Sequence, residues 1–269
     1  MAAVTCLTVA ASDSGGGAGI AADLKAFAAA GCHGALAITA VTAQDRDGIQ
    51  RVDSLPPAAV RAQIDSVVSE VAAVKTGALI NAAIVDVVAE ALSQLCLPLV
   101  VDPVMAATAG GSLLDDSGKH ALLQRLLPLA TVITPNLDEA SLLVGKQGSK
   151  RGLAEALHSR GARAVVITGG HGSAIDHLFD GVRHVEIAVN RLPGNAVHGT
   201  GCTHSATLAA LLALGEPLES AARGAAAAAE RAVAQGTERA GGGEGPVDVL
   251  GVEAIRRQVG GESQRLRTR

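Results

Sequence analysis

Residues 4–30 read VTCLTVA, then ASDSGGGAG, then IAADLKAFAAA, and this stretch decides the fold. The run 4–10 is apolar, interleaved with threonine and too short for a buried helix, so it suits a buried strand. A glycine-rich loop over 12–19 follows. Apolar residues then recur at helical spacing from about 20 to 30, where Gly31 ends the helix. A strand feeding a helix through a glycine loop is the opening of a βαβ unit.

The alternation continues outward from that unit. Residues 34–41 supply a second apolar run, followed by a polar turn over 44–48. Pro56-Pro57 opens a helical period to about residue 73, on which Val60, Ile64, Val67 and Val71 fall at helical spacing. A second helical run covers 80–92, a β-branched strand 97–101 and a further helix 122–127. Residues 130–134 and 164–168 are buried strands ended by sharp breaks. The runs 173–179 and 182–189 flank Asp180-Gly181 and read as a hairpin at one side of the sheet. Two Ala-rich helices, 203–214 and 218–235, pack together. The expected class is α/β, a mostly parallel sheet covered by helices on both faces. With no repeat or linker, one domain is expected over 1–259, with a polar tail over 260–269.

Composition narrows the function. Formal net charge is −4, so no broad basic surface advertises nucleic acid. Trp and Tyr are absent and Phe27 and Phe179 are the only aromatics, which argues against base stacking or an aromatic sugar platform. Cys6, Cys32, Cys96 and Cys202 form no CxxC pair, so a structural zinc or redox pair has little support. No secretory signal opens the chain and every apolar stretch is broken well short of a membrane span; the expected compartment is the cytoplasm.

Five polar clusters carry the chemistry, four of them just after expected strands, where open α/β folds place ligands. Ser12-Asp13-Ser14-Gly15-Gly16-Gly17-Ala18-Gly19 lacks the Lys-Ser/Thr of a P-loop and fails GxGxxG at Ile20, so it is either a ligand loop or a cap for the next helix. Asp102, fixed by Pro103 at a strand end, suits Mg²⁺ ligation through water. In Thr134-Pro135-Asn136-Leu137-Asp138-Glu139, Asn136 and Glu139 share a helix face, an arrangement that serves a cation or simply caps the helix. Thr168-Gly169-Gly170-His171-Gly172 lets backbone approach a nucleotide, or enters the hairpin.

The fifth cluster is His198-Gly199-Thr200-Gly201-Cys202-Thr203. Gly199 and Gly201 remove Cβ atoms that would block an anion, and the helix that follows points unpaired amides at the same spot. Cys202 stands there to handle a proton, with a thiol pKa expected to be lowered by the helix N-terminus; a buried core cysteine is the plain alternative. An anion nest, carboxylates for a metal and glycine-rich strand ends together suit phosphoryl transfer.

These segments resemble the hydroxymethylpyrimidine/phosphomethylpyrimidine kinases of thiamine biosynthesis, within the ribokinase-like superfamily. The resemblance runs from residue 7 to about 247. It is carried by the loop 12–20 with Ala22-Asp23-Leu24-Lys25, Ile38-Thr39-Ala40-Val41-Thr42-Ala43-Gln44, Val101-Asp102-Pro103-Val104-Met105, Thr134 to Ala140, Gly169-Gly170-His171 and the 198–203 turn. Cysteine after Gly-Thr-Gly, where sugar kinases carry aspartate, is typical of the pyrimidine branch. The resemblance implies a three-layer αβα sandwich, a homodimer, and two ATP- and Mg²⁺-dependent phosphorylations of a small pyrimidine. It gives Asp23 the substrate hydroxymethyl group and Gln44 the amino and ring-nitrogen edge, with Ala11, Gly16, Ala78 and Val104 lining the pocket. Gly199, Thr200, Gly201 and Cys202 become the anion hole and catalytic turn. Asn136, Glu139, Thr168 and Gly170 fall to the nucleotide, and Asp102 with Glu139 to the metal.

Gln44 fits its part, since an amide donates and accepts in one plane, as an aminopyrimidine edge requires. The chain departs from the family at Ala78, where methionine is usual, at Thr168 and Thr108, where lysines are common, and at Ala21 in place of glutamine. Two other readings are a pyridoxine or pyridoxal kinase, for which Ala78 makes room, and a non-catalytic pyrimidine-binding homologue. A covalent Cys202 nucleophile has no supported histidine–acid activator.

Overall fold

A computed structural model describes residues 3–45, 48–106, 111–169, 174–190, 196–236, 245–252 and 255–256. Thr108, Gly170, the start of the hairpin run at 173 and the tail 260–269 lie outside them. The central sheet has eight strands: β1 (Thr5–Ala10), β2 (His33–Ile38), β5 (Ala73–Thr76), β6 (Leu99–Val101), β7 (Val132–Ile133), β8 (Val165–Ile167), β9 (Ile175–Phe179) and β10 (His184–Ala188). Their order across the sheet is β10-β9-β8-β7-β6-β5-β1-β2, parallel from β8 to β2, with β9 and β10 antiparallel as the Asp180-Gly181 turn predicts.

Side chains along these strands alternate between two apolar layers because a pleated strand sends successive residues to opposite faces. Leu7, Val9, Val74, Leu99, Val101, Ile133, Val165 and Ile167 meet α2 (Pro57–Val67), α3 (Ala82–Leu92), α5 (Leu137–Val144) and α6 (Lys150–His158). Helix α4 (Asp116–Ala121), which runs on through a π turn at Leu122–Leu126, joins the same layer. Cys6, Ala73, Val100, Val132 and Val166 meet α1 (Gly19–Ala29), α7 (Thr200–Ala213) and α8 (Leu218–Gln235) on the other face. The result is a three-layer αβα sandwich. Among the described residues no helix is long and apolar enough to cross a membrane.

Two elements differ from the sequence expectation. The apolar run 34–41 does not continue as one strand: Thr39 breaks it, and β3 (Ala40–Asp45) pairs instead with β4 (Gly48–Ser54) in a separate antiparallel ribbon. Thr39 is fixed by distant partners, its N–H on the Ala10 carbonyl, its Oγ1 on the Ala78 carbonyl and its own carbonyl on the Leu55 N–H. The helical period expected to reach residue 73 ends at Val67 in a short 3₁₀ turn, and Ala73–Thr76 is the strand β5 at the middle of the sheet. A lysine at its third position hid a strand whose residues are all buried.

Candidate active site

Four of the five polar clusters, and Gly77-Ala78 with them, follow the carboxyl end of a parallel strand, while the 198–203 turn opens α7. Asp13 follows β1, Gly77-Ala78 follow β5, Asp102 follows β6, Asn136 follows β7 and Thr168 follows β8. Between β1 and β5 the chain's progress across the sheet reverses, the position where doubly wound sheets open a crevice for ligands.

The nest at the start of α7 has the backbone that its glycines predict. Gly199, the N-cap, sits at φ 90°, and a Cβ there would lie 1.8 Å from the Gly17 carbonyl oxygen. Glycine-rich loop and nest thus touch backbone to backbone, which no other residue permits at 199. The Thr200 N–H and Oγ1 both return to the Val197 carbonyl, at 3.1 and 2.6 Å, and Thr203 N–H bonds Gly199 O at 2.9 Å. Among the described residues the N–H groups of Gly201 and Cys202 have no acceptor, and the space above Gly201 is open. Two free amides at the positive end of a long helix favour an anion there. The Thr200 hydroxyl, turned back on Val197, is not part of that surface.

Beneath the nest lies a buried charge cluster. Lys75 and Asp23, both with wholly buried side chains, pair at 2.9 Å, and Lys75 Nζ is 3.7 Å from Asp102 Oδ2. Thr8 Oγ1 donates to Asp23 Oδ2 at 2.6 Å, and Ser205 Oγ of α7 donates to Asp102 at 2.8 Å. Asp23 therefore meets Lys75 and Thr8 within the chain, where the family resemblance gives it the substrate hydroxymethyl group. Burial alone would push the Lys75 ammonium down; Asp23 and Asp102 outweigh it, and the group is held firmly charged.

Cys202 reverses the expectation of a lowered thiol pKa. Burial, with Asp23 and Asp102, outweighs Lys75 and the Gly19 N–H and pushes it up to about 12. Lys75 and the Gly19 N–H at the start of α1 act to lower it, but desolvation beside two carboxylates is larger. Cys202 is thus a neutral thiol at neutral pH.

On the other side of Asp102, Asn136 and Glu139 form a complete capping box: Asn136 Oδ1 accepts from Glu139 N–H and Glu139 Oε2 from Asn136 N–H, each at 2.9 Å. Capping and site membership are not exclusive here. Desolvation and then Asp102 raise the Glu139 pKa to about 8, against the bonds from the Asn136 and Met105 N–H groups. Thr168 is bridged to Asn136, its N–H on the Pro135 carbonyl at 3.0 Å, so Asn136, Glu139 and Thr168 make one surface. The Glu139 carboxyl, with Asp102 near enough to raise its pKa, gives oxygen donors suited to a divalent cation. Among the described residues no three acidic, histidine or cysteine side chains converge on a metal position, so most ligands there would be water or phosphate oxygens.

Of the residues given to the ring pocket, Ala11, Ala78 and Val104 come together. Ala11, Ala40, Ala78 and Leu113 form a small apolar cluster with Ile49, Ile80 and Val104 packed against it. Gln44 stands on β3 beside a bulge, 3.5 Å from His198 Nε2, and Gly16 is at φ 68° with nothing within 4 Å of an added Cβ. Sequence reasoning missed Lys75 and the Asp13–His198 pair, in which His198 Nε2 lies 2.9 Å from Asp13 Oδ2. A lysine inside an otherwise apolar run was the available signal for the first. Asp13 and His198 stood in quoted clusters with no local feature to join them.

The layered sheet, the reversal crevice and the nest are those of the ribokinase-like fold. The family model described as phosphomethylpyrimidine kinase matches residues 13–248, and the chain belongs to that family. A hydroxymethylpyrimidine/phosphomethylpyrimidine kinase of Streptomyces coelicolor is 46% identical over 250 residues, 90% of this chain and 93% of the relative. Among solved structures, an ADP complex of Bacillus subtilis pyridoxal kinase superposes with a TM-score of 0.86 at 34% identity, over 94% of this chain and 99% of that one. Phosphomethylpyrimidine kinase from Clostridium difficile gives 0.74 at 34% identity, over 83% and 96%.

Proposed function

We propose that this enzyme transfers phosphate from ATP to the hydroxymethyl group of 4-amino-5-hydroxymethyl-2-methylpyrimidine, and then to the resulting monophosphate, in thiamine biosynthesis. The observation that carries the reading is the pair of Gly201 and Cys202 amides at the start of α7, without an acceptor among the described residues, with His198 beside Gln44 and Ser205 bonded to Asp102. Ring recognition, anion binding and a cation position thus adjoin one helix end.

In this reading Gln44 binds the amino–ring-nitrogen edge and the cluster around Ala11, Ala78 and Val104 packs on the ring. The Gly199–Cys202 turn stabilises charge on the transferring phosphoryl group. Asp102 and Glu139 hold Mg²⁺, which when bound neutralises triphosphate charge. Asn136, Thr168 and Gly170 adjoin the nucleotide. Since the Cys202 thiol is neutral, its first role is to orient the accepting oxygen by hydrogen bonding, and Asp23 acts from behind by fixing Lys75. The same reading carries a single-domain homodimer, checked by sedimentation velocity.

Product analysis with ATP and Mg²⁺, supplying hydroxymethylpyrimidine and its monophosphate separately, tests the proposal. Diphosphate from both is expected. No pyrimidine product would remove the reading.

A pyridoxal kinase is the second reading, favoured by the superposition on pyridoxal kinases and by Ala78. Gln44 argues for the pyrimidine, and so does sequence identity to pyrimidine kinases. Turnover of pyridoxal exceeding that of the pyrimidine in a competition assay would reverse the order.

A further inference from the structure

Asp13 is the most heavily bonded acid in the molecule's ligand loops, and nothing in the transfer reaction has used it. The residue is buried, and its carboxylate accepts the N–H groups of Gly15, Gly17 and Ala18 at 2.7, 3.0 and 2.8 Å and faces His198 Nε2 at 2.9 Å. These bonds, His198 first, overcome burial and hold Asp13 ionised, with a pKa near 2. An ionised carboxylate only accepts, so His198 carries its proton on Nε2.

The surrounding packing leaves the pair no slack. A Cβ on Gly17 would sit 2.4 Å from His198 Cδ2, just as one on Gly199 would strike the Gly17 carbonyl. The His198 backbone is pinned too, its N–H on Gly245 O and its carbonyl on Val247 N–H, both at 3.0 Å. On the far side Ser14 Oγ donates to the Gln44 carbonyl at 2.7 Å and accepts the Gln44 N–H at 2.9 Å, while Ser12 exchanges bonds with Thr42. Three segments distant in sequence, the glycine loop, strand β3 and the nest, are therefore joined at Asp13 and His198.

The chemistry reaches Gln44. Its side-chain Nε2 lies 3.5 Å from His198 Nε2, whose single hydrogen is directed at Asp13, so no hydrogen bond joins the two nitrogens. The two orientations of the Gln44 amide are alike in shape, and the anionic Asp13–His198 pair favours the NH₂ on its side, which leaves the Gln44 oxygen for a ligand. We infer that Asp13 and His198 are positioning residues that set the orientation of Gln44 and hold the glycine loop against the anion nest, coupling ring recognition to transfer. The inference rests on the kinase reading for its assay and adds two residues that do not touch the reacting atoms.

The test uses the full-length enzyme with D13N, H198A, H198Q, Q44A and the H198A/Q44A double variant. Steady-state kinetics are read with hydroxymethylpyrimidine, and folding is checked by thermal melts. D13N and H198A should each lower kcat/KM for the pyrimidine about 100-fold, the scale of a small misplacement, with KM for ATP changed less than about threefold. H198Q places an amide N–H where Nε2 stood and should recover activity to within about tenfold of wild type. Q44A should cost far less on the H198A background than on wild type, because the two act as one unit. The inference falls if H198Q is as impaired as H198A, if the H198A and Q44A losses simply multiply, or if ATP and pyrimidine terms fall together. The wild-type control reports separately on the kinase reading: if it turns over pyridoxal and not the pyrimidine, that reading fails and the same cycle is scored with pyridoxal.

Discussion

Replacing Lys75 with methionine removes one charge from a pair whose side chains are both wholly buried. Methionine fills nearly the same volume, so the loss is electrostatic: Asp23 is left ionisable in the interior with only Thr8 as donor. Breaking a buried pair from one side costs about 3–5 kcal/mol. For a chain of this size that is a fall in melting temperature of roughly 6–15 °C. D23N should sit at the lower end, because Asp102 at 3.7 Å remains a partner for Lys75. The double variant K75M/D23N leaves the net charge of the cluster unchanged, with Asp102 still bonded by Ser205, and should lose only about 1–2 kcal/mol, well under the sum of the single losses. Far-UV circular dichroism with denaturant gives the numbers directly, since the chain has no Trp or Tyr for fluorescence. Turnover should stay low in the double variant even as stability returns, because the ammonium beside Cys202 is still missing. A K75M loss below about 1 kcal/mol, or losses that add, would refute the account of the pair as a mutually dependent buried unit.

The raised Cys202 pKa predicts iodoacetamide modification at neutral pH on the order of 100-fold slower than for an ordinary thiol, after allowing for the stronger nucleophilicity of a more basic thiolate. Exposed Cys96 is the access control, K75M should slow the reaction further, and comparable rates at both cysteines would contradict the assignment. C202A should greatly reduce turnover while pyrimidine binding stays within a few fold; undiminished turnover would leave the nest amides as the catalytic feature. For Glu139 the folded pKa of about 8 lies above its ordinary value of 4.5, so its contribution to stability is full below the lower figure and is lost as pH rises through the upper one. In metal-free buffer the stability of wild type relative to E139Q should therefore fall between about pH 5 and 8, and a flat difference would exclude the shift. G199A should lose both stability and turnover because its Cβ meets backbone, whereas G201A, with open space above it, should melt no lower than wild type yet turn over poorly. Equal behaviour of the two in melts would show that the nest is not packed on the Gly17 carbonyl.

How much of this was legible in the sequence follows the range of the interactions. Glycines and acids at strand ends announce themselves locally, so the Ser12–Gly19 loop, Asp102, Asn136, Glu139 and the 198–203 turn are found by reading along the chain. Most strands and helices come from periodicity alone. What failed depends on partners far away. Thr39 breaks an apolar run only because Ala10, Leu55 and Ala78 are presented to it by other elements. Lys75 disguises a central strand until its counter-ion, 52 residues distant on α1, is in place. The Cys202 pKa turned on burial beside two carboxylates, which a helix-terminus argument does not contain.

The same cluster bears on the lysines this chain lacks at 108 and 168. Lys75 does not stand in for them: its charge is already matched by Asp23 and shared with Asp102. With Asp102 and Glu139 added, the cluster of Lys75, Asp23, Asp102 and Glu139 has no surplus positive charge, and burial first, then Asp102, holds the proton on Glu139. In the proposed reading, charge neutralisation for a triphosphate then falls to the α7 amides and a divalent cation. The first phosphorylation presents a neutral acceptor and can run on that supply. The second presents an acceptor that is itself a phosphate, so it should be the more sensitive to salt and to cation concentration. Raising ionic strength should depress diphosphate formation more steeply than monophosphate formation, and identical salt dependence of the two would show that a cation elsewhere serves the second phosphate.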